Sequence, residues 1–273
     1  MESRYKKYLL YGFNLILGLI IIMPILYGLS ISLMDQNEIF SYPPKLVPSS
    51  INLNNYENVI SSVPIFKFIG NSFFVSIIVT IGQIVTSCLA AYAFSYFDFK
   101  GRKLLFVLSL STLMIPSEST IIANYLTIAK FGLSDTYTGL IVPFLVSAMG
   151  IFLIRQFYLT VPKELKEASK LDGCSNFRFF MKVLVPISKP VMSSLGIYTF
   201  LNTWNQYMWP LLVTNAPEKR TVQIGISMLQ FAESQNIGLV FAGVIMIIVP
   251  SIIIFIIGQK QLVKGITAGA VKG

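Results

Sequence analysis

Apolar residues in this chain run in long blocks rather than at helical period. Stretches without one charged side chain cover residues 8–34, 68–97, 136–154, 190–217 and 234–259. A bilayer-crossing helix needs about 20 mainly apolar residues, so each block is long enough to span. A sixth block, 104–129, is interrupted only by Glu118. Helices of a soluble bundle carry a polar face at 3.6-residue period, and these blocks lack one. The pattern predicts an all-α membrane protein with six transmembrane helices, at about 9–33, 69–97, 104–128, 136–158, 184–213 and 238–258. One membrane domain, 9–260, then lies between a short segment 1–8 and a tail 261–273. No internal repeat or low-complexity stretch breaks it.

The polar positions mark the loops. Residues 35–66 are rich in Pro, Ser and Asn, which predicts irregular chain with one short surface helix. Asp98–Lys103 reads as a tight turn. The most charged loop, 160–183, holds a short amphipathic helix. Pro162 opens it, because a missing N–H costs nothing in a first turn. Leu165, Ala168 and Leu171, three residues apart, make one apolar stripe among charges. Gly173 is suited to stop the helix in a left-handed conformation. So short a helix is unstable alone in water and needs a surface to lie on. Pro186 marks the return into the membrane.

Only 12% of residues are charged, yet the net charge is +9. Nucleic acid is one reading of such an excess, and its distribution favours another. Alternate loops and both ends hold 16 of the 21 lysines and arginines; the intervening loops hold Lys45, Lys67, Lys130, Lys219 and Arg220. Basic residues accumulate on the cytoplasmic side, so both termini and the 160–183 loop are expected there, in a plasma (inner) membrane. The first apolar run is 27 residues, longer than the ~7–15 of a signal-peptide core, and reads as an uncleaved span. Cys88 falls in a span and Cys174 in a loop, so they are expected as reduced thiols. The absence of histidine removes His-based triads and metal sites.

The fifth span carries Tyr198, Thr199, Asn202, Asn205 and Gln206. On a continuous helix these form a polar stripe roughly 12 Å long. Amides and nearby aromatic faces suit hydroxyl-rich solutes, which points to a translocation pathway. Amides also glue membrane helices together, and that reading stays open. Trp209 fits an interfacial aromatic belt. Glu118 is the one acidic residue within an apparent span. Such groups commonly face a cavity or partner; a solvated position near the external interface is the alternative.

Glu167-Ala168-Ser169, three residues, Gly173, nine residues and Val183-Leu184-Val185-Pro186 resemble the "EAA" loop of ABC-importer permeases. Ser169 stands for the second Ala, and Val183 and Val185 for Ile and Leu. Residues 132–140, 152–157 and 262–273 also resemble carbohydrate-type permeases of the MalG-like family. Trp204 to Leu212 and the Pro116–Glu118 spacing lean toward its glycerol-3-phosphate, UgpE-like branch. The resemblance implies a type I ABC importer transmembrane domain whose short helix is the coupling helix. Leu165, Glu167, Ala168, Ser169, Leu171, Asp172, Gly173 and Pro186 would serve coupling to ATPase subunits. It implies a second homologous permease subunit, two ATP-binding subunits and an extracellular solute-binding protein as partners, with membrane lipid around them and no nucleic acid. The chain has no G-x-x-x-x-G-K-[ST] loop, so it is not expected to be an enzyme. It would bind no cofactor; ATP and Mg would sit on the partners. The solute would be a carbohydrate or polyol, extending to glycerol-3-phosphate. An ion-gradient-driven secondary transporter is the alternative, but such proteins favour inverted repeats and several intramembrane titratable groups.

Overall fold

The computed structural model describes residues 2–232 and 236–268. Every regular element among them is helical, with no strand. Three straight helices are long and apolar enough to cross a bilayer: Lys6–Ser32, Ile65–Tyr96 and Ile237–Gln259. They coincide with the first, second and sixth expected spans. Ile65–Tyr96 has 32 residues, about 48 Å at 1.5 Å per residue. That exceeds the ~30 Å hydrocarbon layer, so its ends reach both interfaces.

The other three expected spans are bent helix pairs. Arg102–Met114 and Ser117–Lys130 meet at 103°. Pro116 disfavours helical geometry at the residue before it, and Ile115 is accordingly extended, with φ −88° and ψ 117°. Tyr137–Phe144 and Ala148–Thr160 meet at 45°. Asn176–Ile187 and Lys189–Trp204 meet at 73°. Pro186 and Pro190 flank that bend, where a proline ring cannot continue the i→i−4 ladder. A π-helical turn, Phe180–Leu184, precedes it. The expected fifth span 184–213 is therefore not one helix. It turns sharply at Ser188, ends at Trp204 and resumes as Met208–Val213. A further apolar helix, Val222–Ala232, occupies what the sequence pattern leaves as loop.

Two compact units are distinguishable. One comprises residues 1–66 and 225–249. Within it, Asn55 Nδ2 donates to the carbonyls of Ser32 and Met34, both at 3.0 Å, tying helix Asn54–Ser62 to the end of the first helix. The segment 35–53 is held by Glu38, which accepts from Lys45 Nζ at 2.9 Å and from the Ser49 N–H at 2.8 Å. The Ser49 hydroxyl first, then Lys45 and the Ser49 N–H, hold its carboxyl down at about 2.

The second unit comprises residues 67–224 and 250–273. Two apolar clusters form its interior. Cys88, Ala91, Tyr92, Ile154, Tyr158, Phe179, Phe180, Leu184 and Leu195 make one. Val75, Val79, Ile128, Leu140, Ile141, Trp209 and Val213 make the other. Gly150 and Gly196 allow close helix approach: a Cβ on Gly150 would strike Ser87 Oγ, and one on Gly196 would lie 3.3 Å from Ile84. Small residues at such crossings are how membrane helices pack.

The 45° bend is supported by side chains. Breaking a helix in lipid frees carbonyls that must find donors. Gln83 Nε2 donates to the Phe144 carbonyl and Thr86 Oγ1 to the Leu145 carbonyl, each at 2.8 Å. Ser147 then caps the next helix by accepting from the Gly150 N–H at 3.1 Å.

Candidate functional site: an apolar loop face and a polar helix face

The short loop helix forms at Lys163–Leu171. Pro162 occupies the capping position just before it, one residue earlier than a first-turn proline, with extended ψ 135°. Gly173 is left-handed at φ 71°. The Cys174 N–H donates to the Ser169 carbonyl at 2.9 Å and the Gly173 N–H to the Lys170 carbonyl at 3.0 Å. This pair of bonds is a Schellman stop. A Cβ at Gly173 would meet open space, so the requirement for glycine there is conformational.

The helix has two different faces. Inward, Ser169 is buried and its Oγ bonds back to the Lys166 carbonyl at 2.8 Å. Lys166 Nζ donates to the Tyr96 carbonyl at 2.9 Å and lies 5.1 Å from the Tyr96 ring. Burial, and secondarily the neighbouring Lys170, push the Lys166 pKa down. Outward, Leu165 is 43% and Leu171 89% exposed, with Ala168 beside them. Glu167, Asp172 and Gly173 are also exposed. Pro186 lies beyond the loop, within Val185–Ile187, at the start of the 73° bend.

The second feature is helix Lys189–Trp204. Tyr198 is 51% exposed, and Asn202 and Asn205 are exposed as well. Asn202 Nδ2 donates to the Tyr198 carbonyl and Asn205 Nδ2 to the Leu201 carbonyl, both at 2.8 Å. These amides satisfy their donors on their own helix, one turn back. Asn205 Oδ1 also accepts from Gln223 Nε2 at 3.3 Å.

Two residues depart from the expected stripe, and Trp209 departs from the expected belt. Thr199 is buried, and its Oγ1 donates to Gln83 Oε1 at 2.8 Å, inside the helix packing. Gln206 lies beyond the helix end, half-buried, because the helix stops at Trp204 with Asn205 as its C-cap. Trp209 is 4% exposed and packs edge-on against Phe144 at 5.8 Å. It is core, not interfacial belt. Trp204, also buried, stacks on Phe200.

Glu118 is not in the middle of a span. It sits in the first turn of Ser117–Lys130, after the 103° break, exposed and accepting from Ser117 Oγ at 3.0 Å. A carboxylate suits the positive N-terminal end of a helix. No hydrogen bond joins it to the Tyr198–Asn205 face among the described residues. Gln83 escaped the sequence reading. It is one polar side chain within an apolar block, and its two long-range bonds become visible only in the fold.

Membrane-length apolar helices with no strand among the described residues, and an amphipathic helix in a charged loop, fit a membrane-embedded transport component. The chain belongs to the family of binding-protein-dependent transport system inner membrane components, whose profile matches residues 83–266. It is 37% identical over 276 residues to the sn-glycerol-3-phosphate transport system permease protein UgpE of Rhizobium meliloti, covering 97% of this chain and 98% of that one. It is 33% identical over 265 residues to the arabinooligosaccharides transport system permease protein AraQ of Halalkalibacterium halodurans, covering 96% and 95%. Its fold matches that of a chain in a bacterial ABC transporter involved in import of the acidic polysaccharide alginate. The TM-score is 0.84 at 22% identity, over 95% of this chain and 97% of that one. The chain is thus a membrane permease subunit of an ABC importer.

Proposed function

We propose that this subunit forms half of the translocation pathway for a hydroxyl-rich solute, and that Lys163–Leu171 couples it to ATP-binding subunits. The observation that carries the coupling role is the outward apolar face of Leu165, Ala168 and Leu171 on a helix locked by the Gly173 stop. Its natural cover is a groove on an ATPase subunit. Glu167, Ser169, Asp172 and Pro186 shape and hold that helix and its junction with the membrane.

The solute class is a carbohydrate or polyol. The permeases for arabinooligosaccharides and for sn-glycerol-3-phosphate support it, as does the exposed Tyr198, Asn202 and Asn205 face. Gln206 borders that face, and Glu118 is a separate candidate on the pathway. Thr199 acts behind it, through Gln83. An extracellular binding protein delivers solute, a second homologous permease completes the pathway, and two ATPase subunits, carrying ATP and Mg, drive alternating access. Each bent pair then counts as one crossing, giving six spans with both termini inside.

Topology tests this directly. Impermeant thiol reagents should reach cysteines placed at Ser49, Gly132 and Glu218 from outside, and cysteines at Gly101 and Lys170 only after the membrane is opened. Lys272, expected inside, lies outside the described residues. External labelling at Lys170 in sealed cells would overturn both the orientation and the coupling assignment.

A further inference from the structure

Between the inward face of Lys163–Leu171 and the turn after the second helix lies a pocket of about 450 Å³. That is within the roughly 300–1,000 Å³ of small-molecule sites. Its walls carry four cations, Arg102, Lys163, Lys166 and Lys170, and two carboxylates, Asp98 and Glu167. Asp98 is spent on Arg102, at 2.7 Å. Neither Glu167 nor any of the three lysines joins a salt bridge among the described residues. The lysines lie three and four residues apart, on one helix side, where like charges repel. Lys166 is not free to swing into water: it is fixed by the Tyr96 carbonyl. Lys163 and Lys170 are exposed and Lys166 and Arg102 half-buried, so the pocket presents a partly shielded excess of positive charge whose repulsion a bound anion would relieve. Leu159 and Val161 add an apolar wall, which suits an anion carried on an ester.

We propose that this pocket binds a phosphate-bearing anion, either an anionic phospholipid headgroup of the cytoplasmic leaflet or a soluble phosphate. Bound there, the phosphate braces the coupling helix against the membrane helices. The inference rests on the cytoplasmic placement of this loop, but its test reads binding rather than coupling.

The complete complex is purified as wild type, Lys166→Gln/Lys170→Gln, Lys170→Gln alone and Lys6→Gln/Lys7→Gln. The last removes equal charge from another cytoplasmic segment. Lys170→Gln covers the event that losing the Lys166 bond to Tyr96 perturbs the loop, since no hydrogen bond among the described residues involves the Lys170 side chain. Retention of phosphatidylglycerol is titrated by native mass spectrometry, and radiolabelled inorganic phosphate is measured on delipidated complex by equilibrium dialysis. A charge-assisted hydrogen bond supports roughly tenfold or more in affinity. Lys170→Gln should therefore weaken binding about tenfold and the double variant further, with the Lys6/Lys7 control unchanged. Loss in the lipid assay alone identifies a headgroup, and loss in the phosphate assay identifies a soluble anion. Equal binding in all four proteins, or none in either assay, overturns the proposal. Neither result bears on whether the outer face couples to ATPase, which the Gly173→Asp measurement below reads separately.

Discussion

The loop helix Lys163–Leu171 and the helix Lys189–Trp204 present opposite mismatches with their surroundings. The loop helix, in a charged segment, turns Leu165, Ala168 and Leu171 outward. The helix, in an apolar segment, turns Tyr198, Asn202 and Asn205 outward. Neither face suits the medium that its segment would meet in an isolated chain. An apolar face in water calls for a protein surface, and a polar face in lipid calls for a water-filled route or a partner helix. The faces also differ in how they are held. The loop helix is fixed by local backbone geometry at Gly173. The polar face is fixed from behind, by Thr199 on Gln83.

The comparison breaks most readily at the apolar face. Leu165→Glu/Leu171→Glu places charges where burial is proposed. Each leucine buried at the contact contributes about 1.5–3 kcal/mol, so co-purifying ATPase subunit should fall by at least about a hundredfold. Membrane levels should hold, because both side chains are exposed already. Normal association would remove the face from the interface.

A smaller effect is expected at the polar face. Asn202→Leu or Asn205→Leu removes one hydrogen-bonding group from the proposed route, worth roughly 1 kcal/mol. Solute uptake should drop about five- to tenfold with complex stoichiometry intact. Thr199→Val is the internal contrast: its hydroxyl is occupied by Gln83, so it should lower thermal stability while leaving solute preference unchanged. Asparagine variants that lose the complex rather than the flux would reassign the face to helix packing.

The smallest effect concerns the segment 35–53. The Glu38 carboxyl is depressed to about 2 by Ser49 and then Lys45. A lowered folded-state value gives stability that is present above the unfolded value, about 4.3, and is lost as pH falls toward 2. Glu38→Gln should therefore raise protease sensitivity of residues 35–53 equally at pH 7 and pH 5.5. A difference that closes between those two pH values would contradict this assignment.

The loop helix was legible because its signals are local: a proline before it, an apolar stripe three residues apart and a glycine after it all fall within twelve residues. The three straight spans were legible from apolar length. The bends were not. Pro24 and Pro250 lie inside unbroken helices, whereas Pro116 sits at a break and Pro186 and Pro190 flank another. At the remaining bend, Gln83 and Thr86 satisfy the carbonyls of Phe144 and Leu145. That depends on partners about 60 residues away. The same limit explains the misplaced stripe. Counting Thr199 and Gln206 with Asn202 assumed a continuous helix with one face, but packing turned Thr199 inward and the helix ended before Gln206. Trp209 misled because an indole near a span end suits both belt and core, and only the contact with Phe144 separates them.

The central claim is that Lys163–Leu171 transmits the ATPase motion. Gly173→Asp and Glu167→Lys test it without touching a membrane span. At φ 71° a non-glycine residue costs roughly 1–2 kcal/mol, and the new carboxylate meets the negative end of the helix dipole. Glu167→Lys reverses an exposed charge on the same helix. Solute-stimulated ATP hydrolysis should be measured in vesicles containing the whole complex, at matched subunit levels. The account predicts that both variants insert normally and lose stimulation; wild-type stimulation in both would contradict it.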